Sequence, residues 1–224
     1  VERNIKIAKI EVDMLIPSKN IAIEYDGLYW HSELNGEKNR SYHLNKSKIC
    51  EENGVFLIHI FEDEWMYRND VVKSRIKNIL GVTETRIYSR ECEMKEISVQ
   101  QKDEFFEEYH LQGKDRSSMF NCGLFYKKEL MSAMSFTKYK YKANLIETYE
   151  LSRFASRQNT AVIGAFSKLL KFFIKSKKPS TIITFADRRW SSKENVYTKN
   201  GFRFIGFTDP SYWYFDKSHV RQHR

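Results

Sequence analysis

Two strand-like runs near the start of the chain, joined by a turn that dictates how they pair, constrain it more than any other feature. Ile10, Val12, Met14 and Ile16 alternate with Glu11, Asp13 and Leu15; Pro17-Ser18-Lys19-Asn20 then breaks the run, and Ile21 to Asp26 begins another. That is the pattern of a β-hairpin. With the turn centred between Ser18 and Lys19, positions summing to 37 face each other, so Asp13 lies opposite Glu24 and Glu11 opposite Asp26. Like charges directly across a sheet repel. Four carboxylates on one face therefore call for a cation, and oxygen-only donors suit Mg²⁺ or Mn²⁺. Asp13, Glu24 and Asp26 are the expected metal ligands, holding an ion that polarises a phosphate.

The residues that follow extend this expectation. Gly27 permits a sharp exit from the second strand, and Leu28-Tyr29-Trp30-His31 comes next. His31 is expected to return over the carboxylates as the proton-transfer group, with Tyr29 and Trp30 placed to wedge or stack against bases. Residues 40–53 read as a helix ended by Gly54 in a left-handed cap. His43 and Lys46, three apart, share a face of it, His43 to orient His31 or contact phosphate and Lys46 to neutralise it. Residues 55–61 read as a short apolar strand, and Glu62-Asp63-Glu64-Trp65 as its charged end. A helix over 70–80 follows the 3.6-residue period. Gly81-Val82-Thr83 then opens a linker, with a domain boundary near Thr85.

Glu11-Val12-Asp13, Ala22-Ile23-Glu24-Tyr25-Asp26-Gly27-Leu28-Tyr29-Trp30-His31, Tyr42-His43, Glu52-Asn53-Gly54 and Ile60-Phe61-Glu62 occur in that order. The stretch resembles the very-short-patch-repair endonucleases, and more closely the phage homing endonucleases with an EDxHD motif, a branch of the PD-(D/E)XK nucleases. The resemblance covers about residues 5 to 65. It implies a restriction-endonuclease-like fold, with Asp13 as principal metal ligand, His31 as proton-transfer residue, and His43 where repair members carry a second acid. That family's motif begins with a glutamate on a preceding helix. Here Val1 to Asn4 alone precede Ile5, so the chain reads as a fragment.

The later part has an α/β rhythm: a helix over 100–109, a hairpin over 122–136, a strand over 149–154, a helix over 162–175, a strand over 181–186, a helix near 194–199 and a strand pair around 204–215. The hairpin, Glu150-Leu151-Ser152-Arg153, Ile163-Gly164-Ala165 and Tyr197-Thr198-Lys199-Asn200-Gly201-Phe202 resemble an acetyltransferase-type (GNAT-like) domain. In active members a glycine-rich turn presents backbone N–H groups to a pyrophosphate; Ala161 stands where an Arg or Gln is usual. Charge separates the two parts. Residues 1–85 hold 12 Lys+Arg against 14 Asp+Glu, and the remainder 26 against 15, within a net charge of +9. A basic surface of Arg153, Arg157, Lys168, Lys171, Arg188, Arg189 and Lys193, with Trp190 and Tyr212 beside it, is the expected grip on double-stranded DNA.

Cys50, Cys92 and Cys122 lack zinc-finger spacing and read as reduced thiols of a cytoplasmic protein. No apolar run approaches a bilayer crossing. The expectation from sequence is thus an α/β chain: a restriction-endonuclease-like nuclease domain over 1–85, then a GNAT-like basic domain over 86–224. It would act as a Mg²⁺-dependent DNA endonuclease of the phage homing type. The alternatives are a DNA-modifying acyltransferase-like protein, or a DNA-binding module with an inactive nuclease half.

Overall fold

The computed structural model describes residues 1–28, 41–139, 147–192, 194–208, 213–215 and 220–223. The chain is mixed α/β and divides into two compact units, Val1–Asn69 with Asp187–Arg224, and Asp70–Ala186. The division therefore falls within a helix and not in the segment after it. A linear reading of composition carries no sign that the segment Asp187–Arg224 returns to the first unit.

In the first unit, β1 (Glu2–Ile7), β2 (Ile10–Ile16) and β3 (Ile21–Asp26) run antiparallel. Helix α1 (Tyr42–Glu52) leads to β4 (Phe56–Phe61), which lies parallel to β3. The β2–β3 ladder has the register expected from the turn, Met14 facing Ile23, Leu15 facing Ala22 and Ile16 facing Ile21. Asn20 closes the turn in the left-handed conformation. Alternation along β3 and β4 puts Ile21, Ile23, Ile58 and Ile60 on one buried face. On the other, Ala22 and Leu57 pack with Val12, Ile7 and Cys50. A strand pair buried on both faces needs near-continuous apolar sequence, and β4, Phe-Leu-Ile-His-Ile-Phe, breaks that run only at His59.

Gly54 ends α1 as expected: its φ is +73°, its N–H donates to Glu51 O and Val55 N–H to Cys50 O. Helix α2 (Glu62–Leu80) is longer than the sequence period suggests. It begins in the acidic run directly after β4 and is kinked at Arg68. Its first turn, with Glu62, Asp63 and Glu64, places negative charge at the positive end of the helix dipole.

The second unit takes the remainder of α2 and β5 (Thr85–Tyr88), β6 (Glu93–Glu96), α3 (Val99–Tyr109), β7 (Phe120–Tyr126), β8 (Glu129–Lys138), β9 (Thr148–Ser156), β10 (Thr160–Ile163), α4 (Ala165–Lys177) and β11 (Thr181–Ile183). Ser98 caps α3 with Gln101 in a reciprocal capping box. The main sheet runs in the order β11-β9-β8-β7-β6, antiparallel except for the parallel pair β9/β11 that α4 connects, while β10 pairs with β5. Phe166, Leu169, Leu170 and Phe173 form the buried stripe of α4, and Phe173 meets Phe120, Phe136 and Tyr149. On the opposite face of the sheet Phe105 and Phe106 of α3 pack with Ala133 and Ala155.

Two expectations for the last segment differ. The helix near 194–199 is a single 3-10 turn, Thr198–Asn200, and the closing strand pair is β12 (Trp213–Phe215) with β13 (Arg221–His223). Phe204, Ile205 and Phe207 lie exposed outside any strand.

Candidate functional site

In the first unit the polar residues gather at the carboxyl ends of the parallel pair β3/β4, where ligands of α/β sheets commonly bind. Glu24 and Asp26 alternate on β3, and His59 is the register partner of Glu24 on β4. Helix α1 brings His43, Lys46 and Ser47 over them from one of its faces. Asp26 is wholly buried, His59 nearly so, and His43 remains 28% exposed. His59 Nδ1 lies 2.8 Å from Asp26 Oδ2, His43 Nδ1 3.4 Å from Asp26 Oδ1, and Ser47 Oγ 3.0 Å from His59 Nε2. Lys46 Nζ pairs with Glu24 Oε1 inside the protein. Burial raises the Glu24 carboxyl above its ordinary value, and the Lys46 ammonium partly offsets that rise.

The ladder between β2 and β3 stops at Met14 and Ile23, one step short of the expected Asp13–Glu24 pairing. There the Asp13 carboxylate crosses the gap and Oδ2 accepts the Tyr25 N–H at 2.7 Å. Each acid thus has a protein partner, the Tyr25 N–H for Asp13, Lys46 for Glu24 and the His59 and His43 rings for Asp26. Asp26, His43 and His59 are the described residues whose donor atoms converge, within 4.8 Å of one another. An all-oxygen Mg²⁺ site does not fit two imidazoles and one carboxylate. His59 is a residue that sequence reasoning missed; its signal was an imidazole at an inward position of an otherwise apolar strand. His31, Tyr29, Trp30, Lys193 and Tyr212 lie outside the described residues.

The cations expected to hold DNA have internal partners. Arg188 Nη2 binds Glu51 at 3.1 Å, and Arg189 joins Asp187 and Glu64. Arg221 joins Asp63 and Glu64 and covers the Phe61 ring. Those two acids are consequently ion-pair partners. Trp190 is buried. Arg157 pairs with Glu129, and Lys168 Nζ donates to Ser89 O and Cys92 O at 2.7 and 2.8 Å. Lys171 and Lys175 stand exposed along α4, beside Met94 and Phe172.

The second unit holds another polar cluster, which the sequence reading overlooked apart from Arg153. Ser135 faces Arg153, yet Phe136 faces Leu151, so β9 carries an extra residue at Ser152. The bulge turns Glu150, Ser152 and Arg153 to the same face, where Ser152 Oγ meets Thr137 Oγ1 at 2.7 Å. Arg153 Nη1 donates to the bulged Ser152 carbonyl at 2.8 Å, and Ser135 Oγ donates to Asp115 Oδ2 at 2.7 Å. The buried Lys102 ammonium also closes on Asp115. Burial raises the Glu150 carboxyl, against the opposing pull of Arg153 and with the Asp115 charge adding to the rise. Immediately beside this cluster β11 leaves β9. Ile183 faces Glu150 as the last register pair, and Thr184 Oγ1 then donates to Leu151 O at 3.2 Å where a ladder bond would otherwise fall.

No family model and no curated protein matches the sequence. Solved structures do. An integron cassette protein from the mobile metagenome of Vibrio cholerae is 11% identical, covering 58% of this chain and 94% of its own, at a TM-score of 0.39. A transcriptional regulator from Bacillus halodurans is 12% identical, covering 52% and 97%, at 0.41. A ribosomal-protein-alanine N-acetyltransferase from Brucella melitensis is 12% identical, covering 43% and 81%, at 0.33.

The endonuclease assignment is therefore corrected. A ribosomal-protein-alanine N-acetyltransferase stands among these likenesses, where a nuclease was expected. The metal-dependent hydrolase, its homing role and the restriction-endonuclease-like domain are set aside, and a mixed α/β fold is what stands. The physical origin of the error is the carboxylate hairpin, whose acids meet separate protein partners and do not converge on one all-oxygen site. Among the described residues, no helix is long and apolar enough to cross a membrane.

Proposed function

We propose that the second unit is an acyltransferase of the GNAT-like type, moving an acyl group from a coenzyme-A-type thioester to an amine, with nucleic acid as the acceptor class. The observation that carries this reading is the parting of the parallel strands β9 and β11 beside the β9 bulge. Parted strands leave backbone N–H and C=O groups without ladder partners, and an extended amide-bearing arm satisfies them as an added strand does. The start of α4, behind Gly164, supplies backbone N–H groups suited to phosphate.

Glu150 borders the opening as the general base. The amine nitrogen attacks the thioester carbonyl carbon, a C–N bond forms, and the C–S bond breaks. Glu150 accepts the ammonium proton, and the thiolate leaves to be protonated as thiol. A carboxyl raised by burial suits a base working near neutrality. The exposed Lys171 and Lys175 and the net charge of +9 favour a polyanionic acceptor.

Thermal shift and calorimetry of the full chain with acetyl-CoA test the proposal. A rise in Tm is expected, together with transfer to DNA read by mass spectrometry. Glu150→Gln is expected to keep binding and lose transfer by about 100-fold or more. The wild-type rate is expected to rise with pH through a value above the ordinary carboxylate range. Absence of any shift or heat at millimolar acetyl-CoA overturns it.

A further inference from the structure

We infer that the first unit binds one divalent transition-metal ion of the zinc class through Asp26, His43 and His59. The proposal is independent of the acyl-transfer reading, since it concerns the other unit. One donor atom from each residue lies within 4.8 Å of the other two. A four-coordinate ion with ligand bonds of about 2.0–2.1 Å sets its donors about 3.3 Å apart; His59 Nδ1 lies 2.8 Å from one Asp26 oxygen and His43 Nδ1 3.4 Å from the other, on either side of that distance. Two imidazoles and one carboxylate select zinc-class ions over Mg²⁺ or Ca²⁺, which take oxygen.

Ser47 is a second, separate sign. Histidines that hold metal engage their remaining ring nitrogen with a polar partner, which fixes tautomer and ring orientation. Ser47 Oγ lies 3.0 Å from His59 Nε2 and does this from the next turn of α1 after His43. When Nε2–H donates to the hydroxyl, the Nδ1 lone pair faces Asp26 and the ion. Lys46 takes Glu24, the other acid of the strand, out of the donor set. The Phe61 ring packs edge-on against His43 and holds its plane. Among the described residues three side chains supply donors, and the partial exposure of His43 gives solvent access to them.

The test uses the full chain, stripped with chelator and titrated with Zn²⁺ alone. One equivalent retained through dialysis is expected, with a rise in Tm that His43→Ala and Asp26→Asn abolish and His110→Ala, in the other unit, leaves intact. Zinc-edge X-ray absorption of the wild-type protein is expected to show two imidazoles with oxygen ligands, which needs no variant to fold. A chain that retains no zinc overturns the inference. So does a first shell containing sulfur or fewer than two imidazoles, or a folded His43→Ala that retains zinc as the wild type does.

Discussion

Replacing Lys46 with Met tests how the first unit tolerates buried charge. The Lys46 and Glu24 side chains are only 8% and 7% exposed, so the pair belongs to the buried regime and not to the near-neutral surface one. Glu24 Oε2 is buried with no hydrogen-bond partner among the described residues, and removing Lys46 leaves the whole carboxylate uncompensated. Breaking one side of such a pair costs about 3–5 kcal/mol, a fall in Tm on the order of 10–20 °C for a unit of this size. The sign of the pH dependence follows from Glu24. Burial raises its folded-state value above 4.5, so the folded chain keeps the proton to higher pH than the unfolded chain does, and stability falls as pH rises between the two values. Without Lys46 the rise is larger. The Tm gap between variant and wild type should therefore be wide at pH 7–8 and narrow toward pH 4, where Glu24 is neutral in both and the wild-type ammonium has lost its partner. Lys46→Met combined with Glu24→Gln should recover most of the loss. Melts by circular dichroism across that range decide it: a single variant within about 1 kcal/mol of wild type at pH 7, with a parallel pH profile, refutes the buried pair.

Gly164 holds φ at +80°, and a Cβ there would meet Ser89 Oγ at 2.8 Å; Gly164→Ala should lose about 1–3 kcal/mol in urea denaturation, with Ser89→Ala restoring the contact portion and not the backbone portion, and an unchanged midpoint would refute the strain. The three cysteines should resist thiol reagents in the native state at pH 8, because burial pushes Cys50 up to about 11 and Cys122 up to about 12 and raises Cys92 as well. All three should react on unfolding, and a fast native phase from any one of them would show that its burial is wrong.

Periodicity and turn chemistry carried the local elements. The Pro17–Asn20 turn left one register for the first hairpin, Gly54 ended α1, and the apolar stripe of Phe166, Leu169, Leu170 and Phe173 marked α4. Each is decided by neighbours within a few residues. His59 and Glu150 were harder to read, since an imidazole in a strand or a glutamate before an arginine has many uses. Their roles depend on what another element lays against them: α1 over β4 for one, a bulge and a departing strand for the other.

Sequence alone determined an α/β chain, a carboxylate-bearing hairpin in a definite register, and a basic excess confined to the later part. Only the tertiary structure decided how those charges are spent. Lys46 reaches Glu24 across 22 positions, Arg221 reaches Asp63 across 158, and both pairings arise from chain return that no local pattern encodes. A carboxylate cluster looks like an ion site until the cations opposite it are known, because Coulomb energy depends on separation in space and not along the chain.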